Sequence, residues 1–280
     1  MALGSPYLAH VSRVIHKPYI SFWDTEDANL IIKLTSPFTD TICTPPSCFL
    51  RDFGERQVRF EGYKELAYLH PDEFQPDSSV LDELNLTVND RFIIVRFISW
   101  AASHDVGLQG IKDPVEVVTT LEKYGKVFIS SEKPPVPELE KYLLHISPEK
   151  FHSLLAYATL YIGEGGTITT EAAVLGTPAI HIEANAKGEA TGNTSGNFRE
   201  IRDTYGLMYF FPPDQDAALK KAVQILENTD SKQEWQQKRA RLLADKINVS
   251  AWMTDFISEY PESCQKHLTE RDTKNDLICL

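Results

Sequence analysis

The sequence predicts an α/β fold built on parallel sheets, and three observations predict it. Short β-rich runs alternate with stretches of helical periodicity along most of the chain. The 280 residues are 42% hydrophobic and 24% charged, which suits roughly two domains with packed cores. No repeat of about 20 to 50 residues overlies the alternation, so a solenoid or propeller is not expected. Strands that alternate with helices imply right-handed crossovers and a parallel sheet covered on both faces.

The first part of the chain carries a thin version of this pattern. A helix is expected from Ser5 to His16, a strand from Tyr19 to Trp23, a helix from Asp27 to Leu34, and strands at Asp40 to Thr44 and Val58 to Phe60. Three strands make only half of a doubly wound sheet, so 1–70 reads as a partial domain. Residues 71–79 (PDEFQPDSS), with two prolines and no periodicity, read as a linker.

Six strands are expected in the second domain: Phe92 to Phe97, Lys126 to Ser130, Leu143 to Ile146, Leu160 to Gly163, Pro178 to Ile182 and Met208 to Phe211. Between the first two, Val115, Val118, Leu121 and Tyr124 recur on one helical face. Pro148 to Ala158 and Thr167 to Leu175 are helices between later strands. Further helices are expected within Asp214 to Asn228 and Lys232 to Tyr260, with Pro261 as a stop. The second domain is thus 80–261, and 262–280 is a loose tail.

Composition excludes some functions. Lys and Arg total 28 against 40 Asp and Glu, a net charge of −12, which argues against broad attraction to nucleic acid or anionic lipid. No apolar run reaches the roughly 18 to 20 residues that would span a bilayer, so no transmembrane segment is expected. The start lacks the basic and apolar stretches of a signal peptide, so a cytoplasmic location is expected. Cys43, Cys48, Cys264 and Cys279 have neither zinc-site nor disulfide-scaffold spacing and read as reduced structural thiols.

The stretch Leu160 to Glu183 (LYIGEGGTITTEAAVLGTPAIHIE) carries the strongest chemical signal. A strand ends at Gly163, a turn follows at Gly165 and Gly166, and a helix starts near Thr167. Unpaired N–H groups and the helix dipole then converge on one spot, which suits a phosphate or diphosphate. Glu171, one turn after Thr167, is expected on the same side, where a carboxylate would receive the two hydroxyls of a ribose. The plainer alternative is a tight turn at Gly165 and Gly166, with Glu171 favouring the dipole.

Other polar residues lie at the carboxyl ends of strands, where ligands bind in open parallel sheets. Arg96 interrupts an apolar strand and must either pair with a carboxylate of the fold or face phosphates. His104, between Ser103 and Asp105, is either a hydrogen-bonded loop histidine or a phosphate ligand and general acid or base. Asp24 and Glu26 either cap the next helix or serve as proton acceptors. Ala184 to Asn197 reads as a polar, glycine-bearing surface loop, either that alone or a lid over a substrate.

The glycine pair with its following Glu and Gly-x-Pro is similar to the donor-site signature of nucleotide-sugar enzymes of the GT-B fold. These include N-acetylglucosaminyltransferases of peptidoglycan synthesis and non-hydrolysing UDP-N-acetylglucosamine 2-epimerases. Over about Gly4 to Pro261 the chain more specifically resembles the group called domain of unknown function 354. The likeness is carried by GSPYLAHVSR at Gly4 to Arg13, DTEDA at Asp24 to Ala28, EGYKELAYLHP at Glu61 to Pro71, RFISWAASHD at Arg96 to Asp105, and FISSE at Phe128 to Glu132.

The resemblance implies a GT-B-like fold of two Rossmann-like parallel-sheet domains, with reaction in the cleft between them. It assigns Gly165, Gly166 and Thr167 to the diphosphate and Glu171 to the ribose, and sets Arg96, Ser103 and His104 toward the nucleotide sugar. Asp24, Glu26 and His104 become the catalytic candidates. The implied activity is transfer of sugar from a nucleotide-diphosphate donor, a UDP-sugar by preference, to a hydroxyl acceptor during cell-surface polysaccharide synthesis. The alternatives are a UDP-sugar 2-epimerase and a non-catalytic nucleotide-sugar-binding or assembly protein. No metal or other cofactor is expected, because a helix terminus supplies positive charge. Family members begin with further strands, so the N-terminal domain is expected to be incomplete at Met1 and to need a preceding segment, a partner or a homo-oligomer.

Overall fold

The computed structural model describes residues 1–26, 28–47, 52–100 and 107–267. The chain forms two compact units. One comprises Met1–His70, Ser195–Asn197 and Asp245–Leu280, and the other Pro71–Thr194 and Phe198–Ala244.

The first unit opens with β1 (Ala2–Leu3), α1 (Pro6–Val14), β2 (Ile20–Phe22), α2 (Asn29–Thr35), β3 (Thr41–Thr44), β4 (Gln57–Arg59) and α3 (Leu66–Leu69). Its four strands are parallel and lie in sequence order, β1-β2-β3-β4. The sequence reading gave three of these strands; β1 is two residues long, too short to show any alternation. Pro6 in the first turn of α1 and the Ser5 hydroxyl on the Leu8 N–H start that helix as caps do. Trp23, Ile32 and Ile42 form a buried cluster that Phe53 completes edge-on to Trp23, with ring centroids 5.2 Å apart. The opposite faces of α1 and α2 leave Tyr7, Val11, Val14 and Leu30 exposed.

The second unit contains β5 (Phe92–Phe97), α4 (Pro114–Leu121), β6 (Lys126–Ser131), α5 (Phe151–Tyr157), β7 (Leu160–Gly163), α6 (Gly166–Leu175), β8 (Ala179–Ile182), most of α7 (Gly196–Asp203), β9 (Met208–Phe211), α8 (Gln215–Glu227) and α9 (Ser231–Asp245) up to Ala244. Its five strands are all parallel in the order β6-β5-β7-β8-β9. Strands β7 and β8 are buried along their whole length, as covering on both faces requires. The sixth strand expected at Leu143 to Ile146 is reduced to one bridge between Leu143 and Ile129. The 3₁₀ turns Pro137–Tyr142 and Pro148–Lys150 on either side leave too little extended chain for more.

The stretch expected to be helical up to Tyr260 breaks at Asn248, whose side chain accepts the Ala251 N–H at 3.0 Å and starts α10 (Val249–Ser258). Although α10 was read as a trailing helix of the second domain, it packs on α3 in the first unit. Trp252 stacks on Phe60 and meets Phe22 edge-on, at centroid distances of 4.8 and 6.3 Å. A Cβ on Gly62 would stand 2.5 Å from Val249 Cγ2, so this contact needs glycine. The expected loose tail also begins in order: residues 262–267 are helical, with Ser263 buried and bonded to the Phe256 carbonyl. Cys43 and Cys264 are free thiols in this unit, and burial pushes the Cys43 pKa up.

Candidate functional site

The carboxyl ends of β5 and β7 build the site. In register, Arg96 of β5 is opposite Gly163 of β7. A Cβ on Gly163 would stand 2.8 Å from the Arg96 carbonyl oxygen, so glycine lets the strands approach where the chain leaves the sheet. Gly165 then adopts φ +80 and ψ 129 as the N-cap of α6, a conformation that side chains oppose. The chain turns directly into a ten-residue helix that is buried from Thr169 to Leu175. The N–H groups of its first turn have no acceptor within the helix. The helix closes at Gly176, which is left-handed at φ 81.

A cavity of about 510 Å³ opens at this terminus. Gly165, Gly166, Thr167 and Ile168 form one wall, and Arg96, Ile98 and Ser99 from the end of β5 form another. Leu108, Glu132 and Glu183 complete it.

The first alternative for Arg96, pairing with a carboxylate of the fold, is what the structure shows. Its guanidinium donates to the Ser130 hydroxyl at 2.8 Å and to Glu132 Oε1 at 2.6 Å, and the side chain also lines the cavity. The other Glu132 oxygen accepts the Ser99 N–H and hydroxyl, each at 3.0 Å. The Ser99 N–H, followed by the Ser99 hydroxyl and Arg96, lowers the Glu132 pKa against the opposing effect of burial.

Two acids that sequence reading passed over belong to this neighbourhood. Glu164, in the turn between β7 and α6, is 3% exposed and accepts the Ile98 N–H at 2.9 Å and the Ile111 N–H at 2.7 Å. Burial raises its pKa, and those two N–H bonds only partly offset this. Glu183 directly follows β8 and faces the cavity. The strand-end rule that singled out Asp24 applies equally to Glu183, so a signal for it was present.

Among the residues singled out from sequence, the structure brings Arg96, Gly165, Gly166 and Thr167 together around the cavity. Glu171 does not line it. The Glu171 carboxylate is buried and lies 3.2 Å from Nε2 of His152 on α5. Asp24 and Glu26 belong to the first unit. Asp24 pairs with Lys64 and accepts the Thr25 hydroxyl at 3.1 Å, while Ala28 occupies the α2 N-cap without a side-chain bond. Glu26 Oε1 lies 2.8 Å from where a Cβ on Gly196 would be. Ser103 and His104 lie outside the described residues.

The sequence profile of the family described as "Protein of unknown function (DUF354)" matches residues 4–187. No curated protein matches the chain. Among solved structures, a Listeria monocytogenes protein assigned as a UDP-N-acetylglucosamine 2-epimerase is 12% identical with a TM-score of 0.54, over 87% of this chain and 71% of that one. The spinosyn rhamnosyltransferase SpnG, complexed with spinosyn aglycone, is 11% identical with a TM-score of 0.53, over 89% and 70%. SsfS6, a glycosyltransferase of Streptomyces sp. SF2575, is 11% identical with a TM-score of 0.50, over 90% and 65%, so the chain spans just under two thirds of its length. These likenesses show the fold: α/β, GT-B-like, with two Rossmann-like parallel sheets. Among the described residues no helix is long and apolar enough to cross a membrane.

Proposed function

This chain belongs to the family described as protein of unknown function (DUF354), and on that premise we propose that it binds a nucleotide-diphosphate sugar, by preference a UDP-sugar, and transfers the sugar to a hydroxyl acceptor. The observation that carries this reading is the convergence of the α6 N-terminus and the Arg96 guanidinium on one cavity at the carboxyl end of a parallel sheet. A diphosphate seated there would meet the N–H groups of Gly166 and Thr167, the Thr167 hydroxyl and one guanidinium. These donors are in place before reaction, so charge growing on the leaving diphosphate would be stabilised without reorganisation. Glu171, held by His152 one turn into α6, is the proposed acceptor for the ribose hydroxyls. We assign the reaction to cytoplasmic steps of cell-surface polysaccharide synthesis. The exposed apolar residues of α1 and α2 support a second copy of the chain as their cover.

Titration calorimetry with UDP, dTDP and UDP-N-acetylglucosamine tests the binding reading, which is abandoned if none of them gives heat. Incubation of UDP-N-acetylglucosamine without acceptor tests the chemistry. Unchanged sugar nucleotide agrees with transfer, and an isomerised one shows epimerisation instead.

A further inference from the structure

Glu164 sits between β7 and the Gly165 turn with its main chain fixed on both sides. Its N–H donates to the Arg96 carbonyl at 3.2 Å, and its own carbonyl accepts the hydroxyl of the fully buried Tyr161 at 3.4 Å. From that anchored base the carboxylate divides its two oxygens. Oε2 accepts the Ile98 N–H at 2.9 Å, just beyond β5, and Oε1 accepts the Ile111 N–H at 2.7 Å, on the approach to α4. One side chain thus joins the departing and returning ends of the chain that links β5 to α4. A second fastening lies beside it: Gln109 and Ala184 exchange backbone bonds of 2.9 and 2.8 Å, which ties the returning end to the exit of β8.

Shape enforces the same junction. A Cβ on Gly110 would collide with the Glu164 carboxylate and stand 2.5 Å from Cζ2 of Trp100. Trp100 holds a left-handed backbone at φ 56, which a bulky side chain opposes and neighbouring contacts must maintain. The cavity wall is formed by near neighbours of these three residues in the chain, Gly165, Leu108, Ile98 and Ser99, and not by the three themselves. The hold also continues outward. Ser99, next to Ile98, gives its N–H and hydroxyl to Glu132, which pairs with Arg96. Two consecutive amides at the end of β5 are therefore taken by two different acids, and the second acid carries the cation of the site.

We propose that Glu164 is a positioning residue for the nucleotide: by holding the Ile98 and Ile111 N–H groups together it keeps the wall of Ile98, Ser99 and Leu108 in place against the α6 terminus, and through Ser99 and Glu132 it aims Arg96. The inference rests on the nucleotide-site reading above and accounts for the preorganisation of that site, since the donors need not be gathered when the diphosphate arrives. Glu164 itself touches no ligand. Its replacement by Gln keeps the size and one acceptor but sets an NH₂ group against the other N–H, so one end of the link is released. A site whose competent form is only partly populated binds more weakly by that fraction, and a bond from N–H to carboxylate is worth about 10- to 100-fold in such an equilibrium.

The test measures amide exchange by NMR and affinity by calorimetry on the full chain, with UDP or dTDP, whichever binds the wild type more tightly. In the ligand-free wild type the Ile98 and Ile111 amides are expected to exchange slowly and to gain little protection on binding. Glu164→Gln should speed exchange at one or both, weaken nucleotide binding about tenfold, and regain protection when saturated. Gly110→Ala, which displaces the carboxylate without removing it, should do the same. A merely structural role would lower the melting temperature of both variants and leave the affinity of the folded protein where it was, and that result overturns the inference. So do Ile98 and Ile111 amides that exchange freely in the wild type, a measurement that needs no variant to fold. Either outcome leaves the nucleotide site standing, whereas a wild type that binds neither nucleotide removes the site and this role with it.

Discussion

The Arg96 guanidinium stands 2.6 Å from Glu132 Oε1 while its side chain faces the cavity at the head of α6, so one cation serves both the fold and the proposed ligand. Replacing Arg96 by Ala leaves Glu132 with its two Ser99 bonds and partial exposure to water, which limits the loss of stability to about 1 kcal/mol. Nucleotide affinity is expected to fall much further, by about 10- to 100-fold, because a charge-assisted contact to phosphate is lost. Urea unfolding and calorimetry on the same variant separate the two effects, and equal small losses in both would remove Arg96 from the site.

Gly165→Ala places a side chain at φ +80 and sets its Cβ 3.3 Å from Ile98 Cγ2. The left-handed backbone alone is expected to cost about 1 to 2 kcal/mol. The mouth of the cavity is also altered, so UDP binding should weaken by more than Arg96→Lys weakens it. A thermal melt with and without UDP reads both quantities.

Glu171→Ala tests the ribose assignment. Wild-type protein is expected to prefer UDP over 2′-deoxy-UDP by about tenfold, the worth of one good hydrogen bond to a charged group. The variant should bind the two equally. If the preference persists in the variant, the Glu171–His152 pair is structural only.

Lys64 is held between Asp24 and Glu65, whose side chain is 4% exposed. Burial alone would lower the Lys64 pKa, yet the two carboxylates raise it well above the ordinary lysine value. A raised folded-state pKa contributes stability that is fully present below the unfolded value, about 10.4, and is lost as pH climbs through the folded value. Lys64→Met is therefore expected to destabilise the chain by about 2 kcal/mol, with the difference from wild type constant between about pH 6 and 9 and shrinking only in strong alkali. Denaturant midpoints across that range check it.

How much of this was legible in the sequence depended on whether a signal was local. The glycine turn and α6 were readable because a strand end, paired glycines and a buried helix lie consecutively between Leu160 and Leu175. The inverse holds for Leu143 to Ile146, where an apolar run with strand composition forms one bridge because the turns around it decide the outcome. Partner choice was not legible at all. Nothing near Glu171 in sequence names His152 as its neighbour, and nothing near Arg96 selects Glu132 over any other acid. Glu164 was hidden for a different reason: its carboxylate is spent on two backbone N–H groups from a separate loop, and no side-chain pattern records such a bond.

Because Trp252 rests on Phe22 and Phe60, with Gly62 shaped to admit Val249, the N-terminal sheet is finished by chain that arrives only after the five-stranded unit has been made. Topologically, the five-stranded unit is an insertion within the four-stranded one. During synthesis the early strands must therefore wait with their aromatic face uncovered, and a fragment cut at residue 70 would lack its closing piece. A cleaner dissection would excise 71–244 and rejoin the flanks with a short linker, which keeps the closing piece and gives up only Ser195–Asn197 of the first unit.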